Sequence, residues 1–71
     1  MSKVVVQYRD SCSYCHDAKG FLRGMEITFE EEYQPVGQVP QILVDGKTIG
    51  GYEDLLALSQ SQTQWDETFN G

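Results

Sequence analysis

Two cysteines three positions apart are the residues of this chain best suited to covalent chemistry. Cys12 and Cys15 enclose a Ser-Tyr pair, a spacing that lets two thiols close a small disulfide ring. The apolar run at 4–8 precedes them and predicts a buried strand of the kind found in parallel sheets. From Ser13 onward, apolar residues recur at steps of three and four, which predicts a helix ending near Gly20 or Gly24. The thiols therefore lie where a strand leads into a helix.

Position along the helix distinguishes the two thiols. The unpaired N–H groups and the dipole at a helix N-terminus stabilise a thiolate, and Arg9 and Lys19 bring positive charge close in sequence. Cys12 is therefore the candidate nucleophile. Cys15, one turn into the helix, is expected to be partly buried.

Other uses of these cysteines remain open at this point. Reduced cysteines often pack in a core as small apolar residues. A closed zinc site needs about four ligands, and besides the thiols the chain offers one imidazole, His16. His16 directly follows Cys15, so it lies about 100° further round the helix and is expected to face outward. In a reducing compartment the spacing favours a redox pair or half a metal site over a structural disulfide.

The elements that position the thiols form a small α/β domain. Three further strands are predicted at 27–29, 41–44 and 47–49, and Asp45-Gly46 joins the last two in a tight hairpin. A helix is expected from about Tyr52, with acidic residues in its first turn. Trp65 and Phe69 lie four apart in the tail, so they are expected to share a docked helical face, with a frayed terminus as the alternative.

Length and charge exclude several classes of function. With 71 residues the chain is expected to form one domain, 1–71, whose ligands bind in a surface groove. The formal charge of −6 argues against nucleic acid as a partner. No apolar run approaches the roughly 18 residues of a membrane helix, and no signal peptide opens the chain, so we expect a cytoplasmic protein without membrane partners. Residues 1–25 nevertheless carry four basic and two acidic side chains, whereas 26–71 carry one basic and nine acidic ones.

Three blocks of the sequence resemble the glutaredoxin family of thiol–disulfide oxidoreductases. The stretch YRDSCSYC at 8–15 is similar to the family's active-site segment, QVPQILVDG at 38–46 resembles its Val-Pro and strand block, and IGGYEDL at 49–55 resembles its Gly-Gly block. Together these blocks follow the family's order over most of residues 4–58, so the match is much more specific than the cysteine spacing alone.

The resemblance implies a role for each matched position. Cys12 would be the nucleophile and Cys15 the resolving thiol. Val39 would pair its backbone with the cysteinyl part of glutathione beside a cis proline, and the N–H groups that begin the last helix would receive the γ-glutamyl carboxylate. Either Asp54 or Glu53 would bind the glutamyl amine. The glutathione-binding positions implied in this way are Arg9, Tyr14, Val39, Pro40, Gly51, Tyr52, Glu53 and Asp54.

The fold that the resemblance implies is thioredoxin-like, a mixed four-stranded sheet in the order β-α-β-β-β-α. Family members usually place a helix between the second and third strands. Residues 30–39 contain Pro35 and Gly37 and leave room for a turn at most, so we expect that helix to be missing or reduced to a turn. This compact form resembles short dithiol glutaredoxins, including those carried by bacteriophages.

The function implied is glutathione-dependent reduction of protein disulfides and glutathione mixed disulfides by a monomer, with ribonucleotide reductase among the partners. Ser13 stands where many dithiol members have proline. That departure leaves open a [2Fe–2S] cluster ligated by Cys12 and glutathione between two subunits. A second alternative is an electron donor to ribonucleotide reductase that thioredoxin reductase regenerates.

Overall fold

A mixed four-stranded sheet is the framework of the computed structural model, which describes residues 3–69. In chain order the elements are β1 Val4–Tyr8, α1 Ser13–Gly24, β2 Glu30–Tyr33, β3 Gln41–Val44, β4 Lys47–Gly50, α2 Tyr52–Ser59 and α3 Gln62–Phe69. The strand order is β2-β1-β3-β4, with β2 parallel to β1 and the other two pairs antiparallel. The α/β class and the mixed four-stranded sheet predicted from the sequence are confirmed.

One face of the sheet forms the core together with the helices. Val4 and Val6 of β1 are buried, and so are their partners on β3, Val44 and Ile42. Because side chains alternate along a strand, these four point to the same side. The helices complete the cluster with Ala18, Leu22, Leu55, Trp65 and Phe69.

The opposite face of the sheet is only partly buried, whereas the apolar run of β1 predicts a strand that is buried on both faces. Val5 and Gln7 are only partly buried, as are their β3 partners Leu43 and Gln41. Residues 34–40, which connect β2 to β3, contain no helix, as predicted. β1 is therefore buried fully on one face only, and glutamine replaces apolar residues at one of these two cross-strand pairs.

The second strand lies three residues later than predicted. The sequence favours 27–29 because these residues are β-branched or aromatic, but β2 is Glu30–Tyr33, with all four residues exposed. The Ile27 N–H instead bonds to the Leu22 carbonyl at 2.9 Å, which closes the end of α1, and Ile27 and Phe29 pack against the core from the loop. Glutamates are tolerated in β2 because it is an edge strand, where charge also discourages pairing with other chains.

The chain beyond the predicted last helix adds a third helix to the expected order. α3 buries Trp65 and Phe69, as their spacing predicts. The Trp65 ring meets Phe21 of α1 edge to face, with centroids 5.9 Å apart. None of the helices within residues 3–69 is both long enough and apolar enough to cross a membrane.

A salt bridge joins α1 to the edge strand. The Lys19 ammonium is 2.8 Å from a Glu31 oxygen and 4.3 Å from the centre of the Tyr8 ring, and Arg23 approaches the other Glu31 oxygen at 4.0 Å. Lys19 is buried although it is charged. The positive charge of Lys19, which is close to Cys12 in sequence, is therefore paired with the Glu31 carboxylate and the face of the Tyr8 ring.

Trp65→Ala should lower the free energy of unfolding by roughly 3–5 kcal/mol, because it removes a large buried ring and leaves a cavity. Urea denaturation followed by far-UV circular dichroism measures the change. Val36→Ala is the control, since Val36 is 77% exposed and should shift the curve little. A loss below about 1 kcal/mol in Trp65→Ala would contradict the docking of α3.

Glu31→Gln should weaken the dependence of stability on pH in acid. The hydrogen bond from Lys19 holds the pKa of Glu31 below its usual value, so the stabilisation is present above the unfolded-state pKa and is lost as pH falls through the folded-state pKa. Denaturation midpoints measured between neutral and acid pH should therefore fall less steeply in the variant. At neutral pH the midpoint of the variant should be lower than that of the wild type. Glu67→Gln, an exposed change on α3, is the control; parallel curves for Glu31→Gln and the wild type would disprove the assignment.

Candidate active site

Cys12 is the N-cap residue of α1. Its backbone is extended, with φ −97° and ψ 107°, and its Sγ accepts the Cys15 N–H at 3.1 Å. The thiol also lies 3.7 Å from the Val39 carbonyl oxygen, to which it donates. Cys12 thus occupies the place that Ser or Asp usually takes at a helix start, and its sulfur receives an N–H that the helix leaves unpaired.

Cys15 lies one turn further and is completely buried, as the sequence predicts in part. Burial, reinforced by the hydrogen bond and negative charge of Cys12, raises the pKa of the Cys15 thiol from 9.0 to about 11. A backbone hydrogen bond with Arg9 and the positive charge of Lys19 act in the opposite direction. Both cysteines are free thiols, and at neutral pH Cys15 holds its proton.

A groove of about 670 Å³ opens in front of Cys12. Every predicted glutathione-binding position lines it. Of the predicted site residues, only Cys15 does not, because it is buried. The predicted residues that line it are Arg9, Cys12, Tyr14, Val39, Pro40, Gly51, Tyr52, Glu53 and Asp54. The rest of the lining was not predicted, although each residue lies within two positions of a predicted site residue: Ser11, Gly37, Gln38, Gln41 and Gly50.

The floor of the groove forms where two backbone segments approach each other closely. The Val39–Pro40 bond is cis, as predicted, and Pro40 is buried. A Cβ added to Gly51 would lie 3.3 Å from the Pro40 carbonyl oxygen. Gly50 has φ +121°, and a Cβ there would collide with the Asp54 side chain, so the Gly-Gly pair allows the start of α2 to pack against the proline.

Asp54 caps α2 instead of pointing away from it. Its carboxylate accepts the Gly51 N–H at 3.1 Å, which is the contact that the third residue of a helix makes in a capping box. The following N–H groups, of Tyr52 and Glu53, begin the helix beside the groove. Of the two acids proposed for the glutamyl amine, Asp54 is engaged in capping, and Glu53 is exposed.

Two aromatic rings from different helices stack at the rim of the groove. Tyr14 of α1 and Tyr52 of α2 have ring centroids 6.0 Å apart and planes inclined by 29°. Tyr14 remains 59% exposed. The pair therefore links the start of α1 to the start of α2 and offers an aromatic surface beside Cys12.

Arg9 reaches the groove from the segment between β1 and α1. Its Nε donates to the Gln34 carbonyl oxygen at 2.9 Å, and its Nη2 donates to the Gly37 carbonyl oxygen at 2.8 Å. The guanidinium is thus fixed by the loop that follows β2, a contact that no local sequence signal indicates.

The described residues 3–69 contain no group of three His, Cys, Asp or Glu side chains placed as metal ligands would be. Of the two thiols, only Cys12 reaches the groove. A [2Fe–2S] cluster held through Cys12 would therefore need its other ligands from outside this chain.

Comparison with known proteins explains the combination of dithiol, cis proline and Gly-Gly helix start. Glutaredoxin 3 of Escherichia coli K12 is 35% identical to this chain, with 82% of the chain and 87% of the relative covered. The chain belongs to the glutaredoxin family. Its reaction class is therefore thiol–disulfide oxidoreduction. No protein-family model matches the chain.

Solved structures agree with this assignment. The glutaredoxin resembles glutaredoxin 1 of Francisella tularensis complexed with cacodylate at TM-score 0.74 and 27% identity, covering 84% of this chain and 94% of that one. Brucella melitensis glutaredoxin matches at TM-score 0.81 and 25% identity, over 97% and 90% of the two chains. A buckwheat glutaredoxin–glutathione complex matches at TM-score 0.82 over 97% and 77%, and at 15% identity it shows the shared fold.

Alkylation should separate the two thiols of this glutaredoxin. Iodoacetamide at neutral pH should label one thiol per reduced molecule, at Cys12, because the raised pKa and the burial of Cys15 keep that thiol protonated and covered. Labelling of Cys15 should increase only as pH approaches about 11. Peptide mass spectrometry measures the sites, and urea-unfolded protein, in which both thiols react, is the control. Equal labelling of both cysteines in folded protein at neutral pH would contradict the geometry.

Proposed function

We propose that this chain is a glutathione-dependent disulfide oxidoreductase in which Cys12 is the nucleophile and Cys15 the resolving thiol. The single observation that carries the proposal is the asymmetry of the dithiol. Cys12 Sγ faces the groove and receives a helix N–H at 3.1 Å, whereas Cys15 is buried with its pKa raised to about 11. The Cys12 sulfur is thus placed to attack a disulfide that enters the groove, whereas the Cys15 sulfur stays protonated until a later step.

The first step is thiol–disulfide exchange at Cys12. The Cys12 thiolate attacks the glutathione sulfur of a mixed disulfide, the substrate S–S bond breaks, and a Cys12–glutathione disulfide forms. The substrate leaves as a thiolate that takes a proton from water. The Cys15 N–H, which stabilises the sulfur before attack, is fixed by the helix and needs no rearrangement.

The second step regenerates Cys12 by one of two routes. Glutathione attacks the Cys12–glutathione disulfide, which yields oxidised glutathione and the Cys12 thiolate. When Cys12 has instead attacked a protein disulfide, it is joined to one protein sulfur and the other protein sulfur leaves as a thiol. Cys15 then gives up its proton and attacks Cys12 Sγ, the bond between Cys12 and the protein breaks, and the departing sulfur takes a proton, which completes the reduced protein. Two glutathione molecules reduce the resulting Cys12–Cys15 disulfide and become oxidised glutathione.

Bond formation at Cys12 itself prepares Cys15 for this attack. The Cys12 thiolate and its hydrogen bond both raise the pKa of Cys15 in the free dithiol. Neither contribution persists once Cys12 Sγ is part of a disulfide. Burial, the largest cause of the raised pKa, remains, as do the opposing effects of the Arg9 backbone and of Lys19. The pKa of Cys15 therefore falls by the contribution of Cys12 when its thiolate is required.

Three features of the groove support glutathione as its ligand. The Val39 backbone, next to the cis peptide bond, lies beside Cys12 and is placed to pair with the cysteinyl part of the tripeptide. The N–H groups at the start of α2 favour the γ-glutamyl carboxylate, and the exposed Glu53 carboxylate suits the glutamyl amine. The buckwheat glutaredoxin–glutathione complex, whose fold this chain shares, adds support.

Cys12→Ser and Cys15→Ser should separate the two routes. Cys12→Ser should abolish reduction of a glutathionylated peptide, because the nucleophile is gone. Cys15→Ser should keep a substantial part of that activity but lose reduction of a protein disulfide, which needs the second thiol. Coupled assays with glutathione reductase measure the rates; equal loss in both variants on the glutathionylated peptide would contradict the assigned roles.

The same assay identifies the source of electrons. The Cys12–Cys15 disulfide of the wild-type protein should be reduced by glutathione together with glutathione reductase. Reduction by thioredoxin reductase alone, in the absence of glutathione, would overturn the glutathione dependence and leave the dithiol chemistry intact.

A further inference from the structure

Residues 34–39, in the connection between β2 and β3, form a loop that makes few contacts within itself. Residues 35–38 are all exposed, and Val36 is exposed by 77%. No helix forms there, so the segment has neither an internal hydrogen-bond ladder nor a buried apolar side chain before Val39. A loop of this kind samples many conformations unless contacts from elsewhere restrict it.

Those contacts come mainly from Arg9. Its Nε and Nη2 donate to the carbonyl oxygens of Gln34 and Gly37 at 2.9 and 2.8 Å. The two acceptors lie three residues apart, so one planar guanidinium fixes the loop at two points. The Gln34 N–H also bonds to the Tyr8 carbonyl oxygen at 2.9 Å, which anchors the end of the loop next to β2.

The same loop forms one wall of the groove. Gly37, Gln38 and Val39 line it, and the Val39 carbonyl oxygen accepts from the Cys12 thiol at 3.7 Å. Arg9 itself precedes Cys12 by three residues and accepts the Cys12 N–H at its carbonyl oxygen, 3.2 Å away. One residue therefore connects the segment that carries the nucleophile to the segment that faces it.

We infer that Arg9 is a positioning residue, whose guanidinium clamps the 34–39 loop so that the Val39 backbone stays opposite Cys12. This role differs from that of a positive charge that attracts an anionic substrate. The Nε and Nη2 donors that match a carboxylate in a bidentate pair are already bonded to the loop. The activity readout below rests on the proposed function, whereas the exchange readout does not.

Arg9→Lys and Arg9→Met distinguish the clamp from the charge. Lysine keeps the charge but carries its donors on one nitrogen, which cannot reproduce the planar two-point contact; methionine removes both. If Arg9 clamps the loop, both variants should raise the KM for a glutathionylated peptide by roughly tenfold, with a much smaller change in kcat. Lys47→Met, which removes an exposed charge from β4, is the matched control and should leave KM unchanged.

Hydrogen exchange provides a readout independent of glutathione. Mass spectrometry of peptides covering residues 34–39 should show faster amide exchange in both Arg9 variants, while peptides from α3 exchange as in the wild type. Wild-type exchange and KM in Arg9→Lys, with defects only in Arg9→Met, would overturn the clamp in favour of charge. Absence of glutathione turnover in the wild type would refute the proposed function, and the exchange result would still decide the clamp.

Gly37→Ala tests the other end of the contact. Gly37 has φ +90°, which alanine adopts only with strain, so the variant should displace the carbonyl that Arg9 holds and raise KM as Arg9→Met does. In the double variant the two increases should be far from multiplicative, because both act through one contact. Fully independent effects would contradict the inference.

Discussion

The hydrogen bond from the Cys15 N–H to Cys12 Sγ is the contact on which the site depends. It requires α1 to begin immediately after Cys12, which places the first sulfur at the helix end and the second one turn inside. Helix geometry then turns Cys15 toward the sheet, where it is completely buried. Two chemically identical thiols differ in exposure and in hydrogen bonding because one lies where N–H groups are unpaired and the other where water is excluded.

The rest of the fold brings the opposite wall of the groove to that sulfur. β3 begins directly after the cis peptide bond of Val39–Pro40, and α2 begins directly after Gly50-Gly51. A Cβ at Gly51 would crowd the Pro40 carbonyl oxygen at 3.3 Å, and a Cβ at Gly50 would collide with the Asp54 side chain, so glycine suits both positions. Three segments that are distant in sequence thus converge within hydrogen-bonding or van der Waals distance, and the stacked rings of Tyr14 and Tyr52 join two of them.

The short connection between β2 and β3 has consequences for both the sheet and the groove. The helices cover one face, and the second face carries glutamine at the Gln7 and Gln41 pair, where an apolar pair would be exposed to water. The loop contains no helix and its residues 35–38 are exposed, so burial does little to fix its conformation. Hydrogen bonds from the Arg9 side chain, which lies outside the loop, fix it instead. A chain with so short a connection between β2 and β3 therefore depends on the Arg9 clamp to order this wall of the groove.

The sequence predicts most local features correctly: the strand before the thiols, the helix after them, the Asp45-Gly46 hairpin, the missing helix and the docking of Trp65. These follow from periodicity, turn chemistry and residue types over a few positions. It misplaced β2, because an edge strand of glutamates is specified by pairing with β1 and not by its own residues. Two contacts depend instead on how the elements pack: Lys19 bonds to Glu31, and Arg9 holds the loop. Each of these contacts joins groups that chain spacing alone does not bring together, since long-range hydrogen bonds depend on how the packed elements finally lie.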